Sequence, residues 1–195
     1  MAETKLAEPA ANDSKYVSTT KGVQGGYLFV APVGTALPTG LTSSLNAAFK
    51  NAGYISEDGF TESVESDAED YKDMNGDVVD SSSSSTTETI ALKLLNMDAV
   101  ALGIQYGSAN VSEDESSGIT VKHNWSKAEE TLSCVLELVL KNGRRWRKVV
   151  PSAKVTERGE FTGSGSELAG REVTLSYLTD AEGCGCIDYI APVTA

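Results

Sequence analysis

In 195 residues there is a single histidine, only three cysteines, and 16 basic residues against 28 acidic ones. Hydrolytic triads and most general-base sites draw on histidine. His123 stands in a strand-like stretch, and no serine elsewhere sits in the glycine-flanked elbow such a site needs. The cysteines, Cys134, Cys184 and Cys186, are odd in number and lack the dense, even spacing of a disulfide scaffold, so reduced thiols are expected. With His123 as the only other soft donor they make a poor zinc set, and neither a metal nor a cofactor is expected. The most apolar stretch, Ile90 to Ile104, is interrupted by Lys93, Asn96 and Asp98, well short of the roughly 20 clean residues of a membrane span. The amino terminus lacks the basic stretch and apolar run of a secretory signal, so the chain is expected to stay in the compartment where it is made.

The remaining chemical motifs dissolve on inspection. Gly163-Ser164-Gly165-Ser166 has no lysine for a phosphate loop and reads as a flexible loop. Glu57-Asp58 and Glu129-Glu130 are adjacent in sequence, where carboxylates point apart or lie on a solvated turn. Taking Gly76 as the sixth position of a calcium loop puts Tyr71 and Ser82 where carboxylates belong.

Strand signals are plentiful. Residues 1 to 26 are mixed polar, without periodicity, and end in Gly25-Gly26, which reads as an arm that is disordered unless a neighbour orders it. Tyr27 to Pro32 is β-branched and aromatic and stops at proline. A long loop over 31–59 follows, with a short helix expected over Thr42 to Asn51, capped by Thr42 or Ser43. Thr61 to Tyr71 alternates, with Glu65, Asp67 and Glu69 on one face. Asn75-Gly76 is a type I′ hairpin signal that returns the chain along Asp77-Val78-Val79. The serine run from Ser81 to Ser85 reads as a flexible connector into a half-buried strand, Thr86 to Leu95. Asn96 is expected to cap a helix that ends at Gly107.

Further strands are expected at Ile119 to Trp125, Thr131 to Lys141, Arg144 to Pro151 and Arg171 to Tyr177. Thr131 to Lys141 is apolar on both faces and should be central, with Asn142-Gly143 turning it into the next strand. Many strands, two short helices and no βαβ rhythm give a mainly β class, a β-sandwich or barrel with helical decoration. The organisation expected is an amino-terminal arm (1–26), one domain (27–179) containing the long loop, and a carboxy-terminal arm (180–195).

Charge is segregated along the chain. Glu57 to Asp80 holds ten acids and one base, whereas Lys141, Arg144, Arg145, Arg147 and Lys148 put five positive charges in eight positions. A net charge of −12 opposes adhesion to phosphate backbones and anionic membranes. The acidic segment and the basic hairpin, with Arg144, Arg145, Arg147 and Lys148, look like complementary surfaces, so pairing between subunits is favoured over a nucleic-acid patch, with an ordinary solvated hairpin as the other alternative.

Three stretches together carry a family resemblance: Pro32 to Thr39, Leu45 to Lys50, and Gly53-Tyr54-Ile55-Ser56-Glu57-Asp58-Gly59-Phe60. They resemble the tail-tube, or major tail, proteins of long-tailed bacteriophages with non-contractile tails, and the similarity runs from about Tyr27 to Gly107. Met74 stands where that family often has tryptophan, and Leu94-Leu95 where it often has an acid. The resemblance implies a non-enzymatic virion protein, made in the host bacterial cytoplasm. It implies hexameric rings stacked into a hollow tube around a tape-measure protein, closed by terminator and tail-tip proteins. Arms and the long loop would bridge rings. DNA would pass without specific binding, along a lumen for which Glu65, Asp67 and Glu69 are candidates. The nearest rivals are a tail terminator, a capsid-decoration protein and a bacterial surface adhesion module; a small hydrolase would show turnover.

Overall fold

The computed structural model describes residues 11–180 and 182–193. Along the chain run β1 (Thr20–Gly22), β2 (Leu28–Pro32), β3 (Lys50–Asn51), β4 (Ile55–Lys72), β5 (Val78–Leu94), α1 (Ala99–Tyr106), β6 (Val111–Asp114), β7 (Gly118–Val121), β8 (Thr131–Leu140), β9 (Arg145–Thr162), β10 (Gly170–Tyr177) and β11 (Ile187–Ile190). The mainly β class expected from the sequence is what forms. Nine strands make one antiparallel sheet in the order β3-β2-β8-β9-β10-β5-β4, with β1 added to β8 and β11 to β9, while β6 and β7 form a separate hairpin.

Alternation explains the packing. Along β8, Leu132, Cys134, Leu136 and Leu138 point into the main core and Val135 points to the opposite face, so the strand is buried on both sides, as its composition requires. The main core also takes Leu28 and Val30 of β2, Ile90, Leu92 and Leu94 of β5, Val150, Ala153 and Val155 of β9, and Val173, Leu175 and Tyr177 of β10. Each buried Leu, Ile or Val among these contributes about 1.5–3 kcal/mol. The sheet curls until its ends meet: the Ile55 amide, opening β4, donates to the Tyr27 hydroxyl beside β2 at 2.6 Å.

Several expectations are corrected. No helix forms over 42–51, because Arg147 donates to the Gly40 and Ser43 carbonyls and Ser43 is thereby lost to a helical ladder. The segment instead lays Leu37, Leu45 and Phe49 over Val135 and Val149 as a second apolar cluster. The loop thus packs on its own sheet. Asp98, not Asn96, caps α1, accepting from the Ala101 amide at 2.9 Å. The serine run is no connector but part of the continuous strand β5, in register with Asp67 to Asp70 on β4. The hairpin tip is not a type I′ pair either. Gly76 alone takes positive φ (90°), and the Asp73 carboxylate closes the turn by accepting from the Asn75 and Asp77 amides. The strand expected over 119–125 stops at Val121, followed by a 3₁₀ turn over Trp125–Lys127. Parts of both expected arms lie on the sheet, Thr20–Gly22 against Leu138–Leu140 and Ile187–Ile190 against Trp146–Val149; residues 1–10, 194 and 195 lie outside the described residues.

Candidate functional site

The Gly53 to Gly59 motif is a bulge in β4. Ile55 pairs with Leu94 and Phe60 with Leu92, so Ser56, Glu57, Asp58 and Gly59 stand opposite the single residue Lys93. Gly53 turns the chain into this bulge at φ +86°, and a Cβ there would lie 2.0 Å from the Asn96 side chain. Asn96 uses that closeness: its Oδ1 accepts from the Tyr54 amide at 2.9 Å, and its Nδ2 donates to Asp98 at 2.6 Å. The Leu95 amide donates to the Tyr54 carbonyl. The motif therefore locks the root of β4 to the start of α1 through Asn96, which the sequence marks only as a helix cap. The bulge lines one side of a cleft of about 530 Å³ whose other side is 22–27, with Glu57 its one charged wall residue.

Beyond the bulge, β4 and β5 leave the body. From Ser63 to Lys72 every residue is exposed, on both faces of the hairpin. At roughly 3.3 Å per residue, the stretch from Val64 to Lys72 reaches about 30 Å. Glu65, Asp67 and Glu69 lie on one face, opposite Thr87, Ser85 and Ser82. That face continues, strand to strand, into Thr89 and Ala91 of β5 and Thr174 and Ser176 of β10, opposite in direction to the core-facing Ile90, Leu92, Val173 and Leu175. The result is a bare, small and polar surface on half of the sheet.

The basic hairpin divides. Asn142 and Gly143 both take positive φ, 62° and 75°, and turn β8 into β9 as expected. Arg147 is buried and held by Glu137 at 2.6 Å, and Arg145 reaches the other oxygen of the same carboxylate at 2.9 Å. Arg144 donates twice to the Ala191 carbonyl. Lys148, 2% exposed, sits between Glu62 at 2.8 Å and Asp188 at 3.1 Å, with the Cys186 sulfur at 3.6 Å. Within the subunit, then, Arg147 and Lys148 are occupied by intrachain partners, and Arg145 keeps the exposed side chain, at 46%.

The Lys148 cluster was invisible in sequence because its acids come from strands 86 and 40 positions away. Burial works against the Lys148 charge, but the Glu62 hydrogen bond, Cys186 and Asp188 outweigh it and raise its pKa. Tyr177 donates to the same Glu62 oxygen at 2.8 Å; burial, then Glu62, pushes its hydroxyl far above the tyrosine range. Burial likewise lifts Cys186 to about 11 and Cys134 to about 12. His123 packs against Tyr106 at a ring distance of 4.7 Å and edge-on against Trp125 at 6.0 Å. Among the described residues no group of three or more His, Cys, Asp or Glu is placed to hold a metal, and no helix is long and apolar enough to cross a membrane.

The family model for phage tail tube protein matches residues 9–193. The chain belongs to the phage tail tube protein family. Membership makes it a structural component of a virion tail, consistent with the motif at Gly53 to Gly59 that suggested the family. A search among curated proteins finds no match. Among solved structures, the chain is similar to one in the sheath–tube complex, in its extended state, of PVC, an extracellular contractile injection system. The identity is 13% and the TM-score 0.37, over 87% of this chain and 92% of that one.

Proposed function

We propose that this tail tube protein assembles with copies of itself as hexameric rings, stacked into the conduit through which DNA leaves the virion. The observation that carries the reading is the β4–β5 hairpin, a 30 Å projection by the roughly 3.3 Å rise of each residue, exposed on both faces and adding nothing to its own core. Such a projection is stable in isolation only at its root and gains its purpose against a neighbour. The outer face carrying Glu65, Asp67 and Glu69 lines the lumen, where the −12 charge on each copy keeps a passing duplex from adhering. A tape-measure protein fills the tube before DNA does, and terminator and tail-tip proteins close its ends. Because the 33–49 loop packs on its own sheet, the ring-bridging role expected of it passes to the hairpin and to residues outside the sheet.

Negative-stain electron microscopy of the purified protein at rising concentration tests this. Rings and striated hollow tubes of uniform width are expected. Single subunits at every concentration, after prolonged incubation, would move the assignment to a terminator-like tail component.

A further inference from the structure

The hairpin that is acidic and hydroxyl-rich along its length ends in an apolar tip. Met74 at the turn is fully exposed, and Val78 and Val79 beside it are 54% and 66% exposed. Tyr71 adds a fourth large exposed side chain. An apolar knob on a 30 Å arm, by the same rise per residue, gives its own subunit no stability and costs solubility. Lumen-lining does not explain it, since Val78 and Val79, adjacent on a strand, point to opposite faces.

The body carries a groove of matching chemistry. It holds about 360 Å³ between α1 and the β2–β8 edge, walled by Pro32, Val33, Val100, Ile104 and Leu132, with Lys50 at its rim. Lys50 is exposed and makes no ion pair among the described residues. Glu130 also borders the groove, where it accepts from the Ser108 amide at 2.7 Å, so Lys50 is the groove's one cation beside one hydrogen-bonded acid. The knob is flanked by Asp73 and Asp77, so the rim lysine is the complement of the tip's charge. The larger cleft beside Gly53 has no cation in its walls to meet an acidic tip, its one charged residue being Glu57.

We propose that the hairpin tip of one copy seats Met74 in the groove between α1 and β2 of a second copy, with Asp77 opposite Lys50. The docking rests on the self-assembly reading and specifies its contact: an apolar anchor buried at the centre and one charge pair at the edge, the arrangement by which a small patch fixes register between subunits.

The test places a photoreactive benzophenone at the tip, Met74→p-benzoylphenylalanine, in full-length protein assembled from mixed heavy- and light-isotope copies. Irradiation should yield crosslinks between copies, from position 74 to peptides holding 30–33 or 100–108. In parallel, Met74→Asp should raise the concentration needed for assembly by at least about tenfold, the loss of one well-buried anchor. Asp77→Lys should raise it less, and Asp77→Lys with Lys50→Asp should restore it. Because both positions are exposed, folding is checked simply by unchanged circular dichroism. Tubes that form normally but crosslink elsewhere, or a Met74→Asp protein that assembles at the wild-type concentration, overturn the docking and leave the tube standing. Failure of the wild-type chain to assemble at all overturns both.

Discussion

Strands β8 and β4 start from the same alternating backbone and end as opposites. In β8 seven consecutive residues, Leu132 to Leu138, are buried, and the one acid among them, Glu137, is matched by two arginines. In β4 ten consecutive residues, Ser63 to Lys72, are exposed, and their acids face hydroxyls across the ladder. The difference lies in what each strand can bury. Leu132, Cys134, Leu136 and Leu138 at every second position oblige β8 to be covered, and Val135 on its reverse requires the second cover that the 33–49 loop supplies. Serine, threonine and acids dominate both faces of the hairpin and leave little to bury, so it is held by its backbone ladder and by cross-strand side-chain bonds such as Ser66 with Thr86 at 3.0 Å and Ser85 to Asp67 at 3.2 Å. The body is therefore the source of folding stability and the hairpin a projection that stability supports.

This contrast breaks most directly at Glu137. Glu137→Ala leaves Arg147 buried without its carboxylate, and a loss of about 3–5 kcal/mol is expected in urea unfolding. Leu136→Ala, opening a cavity in the same strand, should cost about 2–5 kcal/mol. At the junction between the two regions, Gly53→Ala forces a side chain into left-handed backbone and into Asn96. A loss of about 1–3 kcal/mol is expected there, with Asn96→Ala reproducing part of it. On the hairpin, Glu65→Gln and Thr87→Ala should each stay within about 0.5 kcal/mol of wild type. A hairpin substitution as costly as Leu136→Ala would erase the distinction.

Acidity and alkalinity sharpen it further. Lys148 has a folded-state pKa above its unfolded one, so its contribution is fully present below the ordinary lysine range and is lost as pH rises through and beyond it. Thermal unfolding of the wild type should therefore fall more steeply at alkaline pH than that of Lys148→Met. The smallest effect concerns the thiols. With Cys186 near 11 and Cys134 near 12, both stay protonated at pH 8 and should resist iodoacetamide in the folded protein, the buried Cys134 reacting only on unfolding.

Much of the body was legible in sequence because its signals are local. The two-faced apolar pattern of Thr131 to Leu140, the Asn142-Gly143 turn and the helix ending at Gly107 each follow from residues within a few positions of one another. The misread segments are those settled by distant partners. Thr42 to Asn51 has helical spacing, yet Arg147, about a hundred positions away, takes the carbonyls of Ser43 and of Gly40 just before it. Five serines lack strand propensity, yet the neighbouring ladder of β4 extends through them. Lys148 looked like surface charge because nothing near it in sequence announces Glu62 or Asp188. Of the candidate site, the acidic face was readable from alternation, whereas the apolar tip was obscured by its place inside the most acidic part of the chain.

On the function proposed above, the hairpin serves assembly and not folding. Glu65 and Thr87 are cross-strand partners, so the hairpin can be cut back by joining them through an Asn-Gly turn. Sedimentation velocity of this shortened protein, with its unfolding midpoint taken on the same sample, reads both halves of the claim. The expected result is a subunit with the wild-type midpoint that stays monomeric at concentrations where the wild type forms rings and tubes. A shortened chain that still assembles, or one that no longer folds, would contradict it.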